Sequence, residues 1–474
     1  MKCLFCTSES FPFAMSGGLG DVSGSLPHSL RQRLIGCRVV MPLYSSIKQE
    51  FKDIMRFIKY IYVPVSWRSQ YCGIFEARYK GVIYYFIDNE YYFNRQNLYG
   101  YYDDAERFAF LSRATLEILP HIDFKPDIIH CNDWQTALIP VYYDLFYSCN
   151  DFYRDIKTVF TIHNIEYQGK YGMDILEDVV GIPYDRKSLV EFDNCLNFMK
   201  GAIEASNRVT TVSNTYAQEI MDPWYSYNLH PILRQRAYKV SGILNGIDTD
   251  NYNPKTDKDI YSNYELNNIS NKIINKIELQ KRLNLNQDES VPMIGMVTRM
   301  VSHKGIDLVR TILDKLMYEE DVQFVILGSG EFEYEAFFKM MQERYKGRVC
   351  ACFGFVPELS RKIYAASDIF LMPSRSEPCG LSQMIALRYG SIPVVRETGG
   401  LKDTVFDSGD GEGNGFTFKN YDAYDMLNSI KRAIMGYKNK EGFNILVKRA
   451  MSYDNSWGKS ANEYIKLYRS LVNN

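Results

Sequence analysis

The chain alternates short, almost wholly apolar runs with loops and amphipathic stretches of helical length. In the first half the apolar runs fall at residues 2–7, 37–42, 82–87, 127–131, 157–162 and 208–212. Amphipathic stretches at 21–33, 105–119, 135–145 and 214–221 follow several of them. The rhythm restarts at 293–297 and continues through 322–327, 348–353, 368–372 and 392–394. Strands apolar on both faces and separated by helices predict parallel sheets covered on both sides. Two doubly wound α/β units accommodate these strands better than one sheet of about a dozen. The division is expected near residue 240, with a return near Trp457, giving domains 1–240 and 241–456. The polar, asparagine-rich segment 248–290 reads as surface connection and short helices just inside the second domain.

Length and composition narrow this picture. The 474 residues, 46% of them hydrophobic, provide for two or three domains with substantial cores. The 55 basic and 57 acidic residues leave a net charge of −2, which offers no broad footprint for nucleic acid or an anionic membrane. A local basic pocket remains compatible with it. No apolar run approaches the ~18 residues of a membrane span, and the start has no secretory or transit pattern. The ten cysteines are too sparse for a disulfide scaffold. Cys3, Cys6, Cys350 and Cys352 lie in apolar runs and read as buried strand residues, not zinc ligands. A reducing cytoplasm is the expected location. Most of the 37 tyrosines are expected in core and interface packing.

Open parallel sheets bind ligands beyond the carboxyl ends of their strands, so chemistry is sought in those loops. The first strand leads into Phe11-Pro-Phe-Ala-Met-Ser-Gly-Gly-Leu-Gly-Asp-Val. Gly17, Gly18 and Gly20 permit close approach, Asp21 is a candidate N-cap, and free N–H groups are expected to face an anion or a hydroxyl-rich ligand. The glycine spacing fits neither a Walker loop nor a dinucleotide fingerprint. After 293–297, Arg299 and Lys304 flank a turn and can converge on phosphates, the arginine bidentately and the lysine as a point charge. After 368–372, Glu377 precedes Pro-Cys-Gly, and the amides of Gly380, Leu381 and Ser382 open a helix. A carboxylate beside an anion site suits sugar hydroxyls. Further turns lie at Gly328-Ser-Gly-Glu331 and Thr398-Gly-Gly-Leu. In the first half, Asp133 with Trp134, and His163 with Asn164, stand just past strand ends, and Asn245-Gly-Ile-Asp248 reads as a turn or hinge.

In order and spacing, these segments resemble the bacterial glycogen synthase and plant starch synthase family over nearly the whole chain. The resemblance rests on Ser16-Gly-Gly-Leu-Gly-Asp-Val, His130-Cys-Asn-Asp-Trp, Thr161-Ile-His-Asn and Leu244-Asn-Gly-Ile-Asp. It continues through Arg299 with Lys304, Glu377-Pro-Cys-Gly-Leu, Arg388-Tyr-Gly and Thr398-Gly-Gly-Leu. It implies a glycosyltransferase-B fold, two Rossmann-like domains facing an interdomain cleft, with the nucleotide-sugar mainly on the second and the helix at 457–474 packing back on the first. By the same resemblance, Arg299 and Lys304 hold the diphosphate with Cys379 and the amides of Gly380, Leu381 and Ser382, and Phe355 stacks on the base. Glu377 holds glucose hydroxyls, and His163 and Asn164 lie near the sugar. Asp133 and Asn245 match active-site positions, and Gly17, Gly18 and Asp21 approach the donor or the chain end.

The implied reaction is retaining transfer of glucose from ADP-glucose to the non-reducing end of an α-1,4-glucan. No cofactor and no metal are expected, because cations and a helix N-terminus stabilise the leaving diphosphate. Two positions depart from related patterns. Met15-Ser16 replace a common Lys-Thr, and Ile385 stands where many related transferases carry a second glutamate. Two other functions stay open: a related transferase with another donor or a small acceptor, and a silent glucan-binding regulatory protein.

Overall fold

The computed structural model describes residues 1–354 and 356–473. The chain divides into two compact units, Met1–Asn245 with Trp457–Asn474, and Gly246–Ser456.

The first unit is built on a nine-stranded sheet. Its strands are β1 (Lys2–Cys6), β2 (Gly36–Pro42), β3 (Arg56–Val65), β4 (Arg68–Tyr79), β5 (Val82–Asp88), β6 (Ile128–Asn132) and β7 (Lys157–Ile162). A small separate sheet holds β8 (Lys170–Tyr171), β9 (Glu191–Phe192) and β10 (Cys195–Asn197); β11 (Arg208–Thr211) and β12 (Val240–Gly242) complete the large one. The order is β12-β11-β7-β6-β1-β2-β5-β4-β3. Cys3 pairs with Cys37 on one side and with Ile128 on the other, so β1 lies at the centre. Cys3, Leu4, Phe5 and Cys6 are fully buried, and each large apolar side chain so placed contributes roughly 1.5–3 kcal/mol. Because β12 pairs with β11, the unit's first segment runs on past residue 240.

Helix α1 (Gly18–Gln32) follows β1 and buries Leu19, Val22, Leu26 and Leu30, spaced three and four apart, along one face. It starts ahead of the expected position, so Asp21 lies inside its first turn, and the cap position belongs to Gly17. Helix α2 (Asp104–Glu117) packs on the same unit. The expected helix at 135–145 is instead a 3-10 turn, a short α segment Leu138–Tyr142 and a π turn Tyr143–Tyr147. Pro140, which has no N–H to donate, interrupts the regular bonding there. The hairpin β3–β4 was not expected. Only one of its faces is covered, so Tyr60 and Tyr62 stand exposed and no continuous apolar run marks it.

The second unit holds six parallel strands: β13 (Met293–Val297), β14 (Gln323–Gly328), β15 (Val349–Phe353), β16 (Ile369–Met372), β17 (Ile392–Arg396) and β18 (Phe416–Phe418). Their order, β15-β14-β13-β16-β17-β18, is the doubly wound order of a dinucleotide-binding fold. Helices α3 (Ile306–Glu319), α4 (Pro357–Ala366) and α5 (Ser382–Arg388) connect them. The terminal helix α6 (Trp457–Val472) packs on α1 within the first unit. Tyr468 of α6 bonds the buried His130 at 2.6 Å, and Thr161 holds the other ring nitrogen at 2.6 Å, so His130 is a structural tie.

Candidate functional site

In each sheet the strand order reverses beside the first strand, and the loops leaving the two central strands diverge to leave a crevice. In the first unit those strands are β1 and β6. The turn after β1 commits the amides of Ser16 and Gly20 to a side chain of its own unit. The carboxylate of Glu9, 2% exposed, accepts from the Ser16 amide and hydroxyl, each at 2.6 Å, and from the Gly20 amide at 3.1 Å. Burial raises its pKa, and these donors oppose the rise.

Asp133 follows β6 with φ of 56° and ψ of 179°, a strained backbone that residues other than glycine rarely adopt. Its Oδ1 accepts from the amides of His163 at 2.7 Å and Asn164 at 3.4 Å, which fixes the loop after β7 against the loop after β6. Enclosure by protein pushes the carboxyl pKa up to about 7; the two amides oppose this and Glu9 adds to it. The His163 Nε2–H donates to Asn132 Oδ1 at 2.9 Å, and the Asn132 amide is itself held by the Cys6 carbonyl at 2.9 Å. This assigns the tautomer and leaves the Nδ1 lone pair as an acceptor. Burial lowers the His163 pKa to about 3, so the ring is neutral. The Asn164 side chain accepts from Glu166 N in a local turn, and the buried Asn245 carbonyl oxygen has no partner among the described residues.

In the second unit the corresponding strands are β13 and β16. Lys304, on the loop after β13, pairs with Glu377, on the loop after β16, at 2.6 Å. Ser374 donates to the same carboxylate oxygen at 3.0 Å. The side chains are only 18% and 10% exposed. Removing one partner would therefore strand a charge at a cost of about 3–5 kcal/mol, unlike a solvated surface pair. Gly305 allows this closeness: its φ is 75°, and a Cβ there would lie 2.2 Å from the Pro373 carbonyl. Arg375 N bonds the His303 carbonyl at 2.9 Å, adding a second tie between the loops. Arg299 is exposed; its carbonyl accepts from Val301 N at 3.0 Å, and its side chain makes no hydrogen bond or ion pair among the described residues. Burial, with Lys304 and Arg299 nearby, holds the His303 pKa down.

The loop from Glu377 into α5 is rigidly seated. Gln383, fully buried, donates to the carbonyls of Cys379 at 3.1 Å and Gly380 at 2.9 Å, and to Thr404 at 3.1 Å. Tyr364 donates to the Ser382 hydroxyl at 3.0 Å. The Thr398-Gly-Gly turn supports this loop: Gly400 N bonds the Glu377 carbonyl at 3.1 Å. Phe355 lies outside the described residues. Among the described residues, no group of three His, Cys, Asp or Glu side chains converges to hold a metal.

The first unit groups a half-buried carboxyl with a neutral imidazole, as suits sugar hydroxyls, and the second pairs a lysine with a carboxylate, as suits a phosphate beside a sugar. Residues 2–235 match the family model of the starch synthase catalytic domain, and residues 277–444 match glycosyl transferases group 1. The chain is 52% identical to a glycogen synthase of Clostridium botulinum (strain Alaska E43 / Type E3), over 99% of each chain. The chain belongs to the glycogen synthase family. A glycogen synthase of Geobacillus thermodenitrificans is 49% identical, over 100% of this chain and 98% of the relative. The catalytic domain of starch synthase IV from Arabidopsis thaliana, bound to ADP and acarbose, matches with a TM-score of 0.90 and 36% identity, covering 100% and 99%. A sucrose-phosphate synthase from Thermosynechococcus elongatus, at 15% identity and a TM-score of 0.61, shares the fold. Both domains are thus of the glycosyltransferase-B type, and this glycogen synthase family member is a glycosyltransferase.

Within this family frame, Lys304 and Glu377 are in contact, and Cys379, Gly380, Leu381 and Ser382 follow on the same loop. Asp133, His163 and Asn164 form one hydrogen-bonded group, with Gly17, Gly18 and Asp21 on the turn held by Glu9. Sequence reasoning missed Glu9, Asn132 and Ser374. Glu9 had a signal, an acid stranded between an apolar strand and a glycine turn. Asn132 and Ser374 had none, since each acts by holding another side chain.

Proposed function

We propose that the protein transfers glucose from ADP-glucose to the non-reducing end of an α-1,4-glucan with retention of configuration. The observation that carries this reading is the Lys304–Glu377 pair beside Arg299. It puts cations for a diphosphate next to a carboxylate for the glucose hydroxyls. Arg299 and Lys304 take up the negative charge that develops as the glucosyl bond to the diphosphate breaks, aided by the amides opening α5. Glu377, relieved of part of its contact with Lys304 as phosphate arrives, accepts hydrogen bonds from the sugar.

In the first unit, neutral His163 accepts a sugar hydroxyl through Nδ1, and Asp133 holds the loop that presents it. Gly17, Gly18 and Asp21 approach the sugar end or the glucan, and Asn245 offers its buried carbonyl oxygen to a donor. The reading includes no required metal or organic cofactor, since fixed cations serve the leaving group. It places the enzyme in the cytoplasm, where ten free thiols are at home.

The test offers ADP-glucose or UDP-glucose with glycogen or maltooligosaccharide, in the presence of a chelator, and follows nucleotide release and chain growth. ADP release with chain extension is expected, and Glu377→Ala and Lys304→Ala lower it by about 10²-fold or more. Glucan binding without nucleotide release would defeat the proposal, as would transfer only to small acceptors.

A further inference from the structure

Between the tip of the β3–β4 hairpin and helix α2, the first unit holds a crevice of about 130 Å³ that no step of the proposed reaction uses. Its walls are mostly apolar: Val65 at the end of β3, Ala109 on α2, Tyr142 and Phe146 from the segment that ends in the π turn, and Val180. The charged side chain among them is Arg113, four residues beyond Ala109 on the same face of α2. Its guanidinium carbon lies over the rings of Phe146, Tyr147 and Tyr142, at 4.5, 5.1 and 5.4 Å from their centres, so three aromatic faces fix its place. A guanidinium carries five N–H donors, yet this side chain makes no hydrogen bond among the described residues, and its Nε is fully enclosed. The carboxylate within ion-pair reach is Glu117, whose Oε1 stands 4.0 Å from Nε and accepts from the Tyr147 hydroxyl. Aromatic faces attract the charge but offer its N–H groups no lone pair. An arginine 19% exposed and without an acceptor, at the wall of a crevice, marks a place for an oxyanion.

The crevice is built in advance. Ser66 Oγ donates to the Glu177 carbonyl, Trp67 Nε1–H to Asp178 Oδ1 and the Tyr142 hydroxyl to the Val180 carbonyl, each at 2.6 Å. Gly181, at φ of 70°, brings the two walls together: a Cβ there would lie 3.1 Å from Ser66 Cα. These bonds use the hydroxyl protons of Ser66 and Tyr142, which leaves recognition of an anion to Arg113. We propose that the crevice binds a short-chain carboxylate, its head paired with the Arg113 guanidinium and its hydrocarbon body against Val65, Ala109 and Val180. The space equals that of about four waters in the liquid, which matches an acid of about four carbons. A bare phosphate would leave the apolar walls uncovered, and a sugar would bury hydroxyls against them without partners. None of the residues assigned to the donor or the glucan lines the crevice, so the acid is a bound effector and is not consumed.

The test titrates the full chain with sodium butyrate and follows its melting temperature, with sodium chloride and sodium phosphate at equal ionic strength as the other arms. At about 20 mM, butyrate should raise the melting temperature by about 2 °C or more, and each of the other salts by less than about 0.5 °C. From acetate to butyrate the affinity should rise about 3- to 4-fold per methylene, then fall at octanoate, which the crevice is too small to hold. Arg113→Met keeps the stem of the side chain and its packing, and should abolish the butyrate shift. If that variant folds poorly, crystals of wild type soaked in butyrate decide the matter, with density for the acid expected between Arg113 and Val65. A butyrate effect no larger than that of chloride would overturn the proposal. So would an undiminished shift in folded Arg113→Met, an equal response to phosphate, or soaked crystals with only water in the crevice. Every readout is independent of glucose transfer, so failure here and failure of the transferase reading are told apart.

Discussion

The two units share a strand order at their centres and place their functional loops at the same point of it, yet they carry opposite chemistry. At the β1/β6 reversal, Glu9 is a buried carboxyl, Asp133 a half-buried one with its pKa raised, and His163 is neutral, with no cation paired to any of the three among the described residues. At the β13/β16 reversal, Lys304 is ion-paired with Glu377, and Lys304 and Arg299 together lower the pKa of the neighbouring His303. The fold fixes where a ligand is met. The side chains entering from the loops decide its chemistry, and in the second unit they include the cations proposed to hold a diphosphate.

The sharpest way to break this contrast is to remove charge from the second unit. Lys304→Ala should lower kcat/KM by about 10³-fold or more, as when a positioned electrostatic donor is lost. Arginine at 304 should recover little, because the guanidinium cannot follow the ammonium into the gap beside Ser374. Glu377→Gln should lower kcat by about 10²-fold, the size of a lost charged hydrogen bond to a sugar hydroxyl. It should at the same time tighten ADP binding about 3-fold or more in titration calorimetry, because the carboxylate no longer competes with phosphate for Lys304. Weaker ADP binding in that variant would mean the pair acts only as structure.

Asp133 and His163 sharpen the first-unit side. With its pKa raised from 3.8 to about 7, Asp133 favours the fold most when protonated. That contribution is complete below about pH 4 and lost as pH rises through 7. His163 works the other way, contributing above its ordinary 6.5 and losing this as pH falls toward 3. Asp133→Asn should therefore be more stable than wild type at pH 8 by about 1–2 kcal/mol, with the gain vanishing toward pH 4 in thermal melts. The smallest effect is expected from salt. Between 50 and 300 mM, ADP affinity should weaken about 2- to 4-fold while the KM for glucan holds steady.

The buried parallel strands were legible because both faces of each are covered: the runs at 157–162 and 293–297 coincide with β7 and β13. The β3–β4 hairpin was not, since one wet face and a bulge break the apolar signal. Positions at the strand ends were legible as candidates, and their roles came through resemblance. The pairing of Lys304 with Glu377, 73 residues apart, was beyond local pattern, because it depends on strand order and on the backbone freedom of Gly305. The glycine turn was legible as a strand-to-helix turn, but the bonds from Ser16 and Gly20 to Glu9 were not, since spacing alone does not show which side chain folds back on a turn.

The tie between His130 and Tyr468 has a consequence for biosynthesis. The first unit's sheet emerges early from the ribosome, but the helix that seals His130 is the last segment translated. At ordinary elongation rates, residues 246–456 take roughly ten to forty seconds to make. Throughout that interval the nascent N-terminal half waits with an uncovered flank for chaperones to shield, and a premature stop near the end leaves it permanently unsealed.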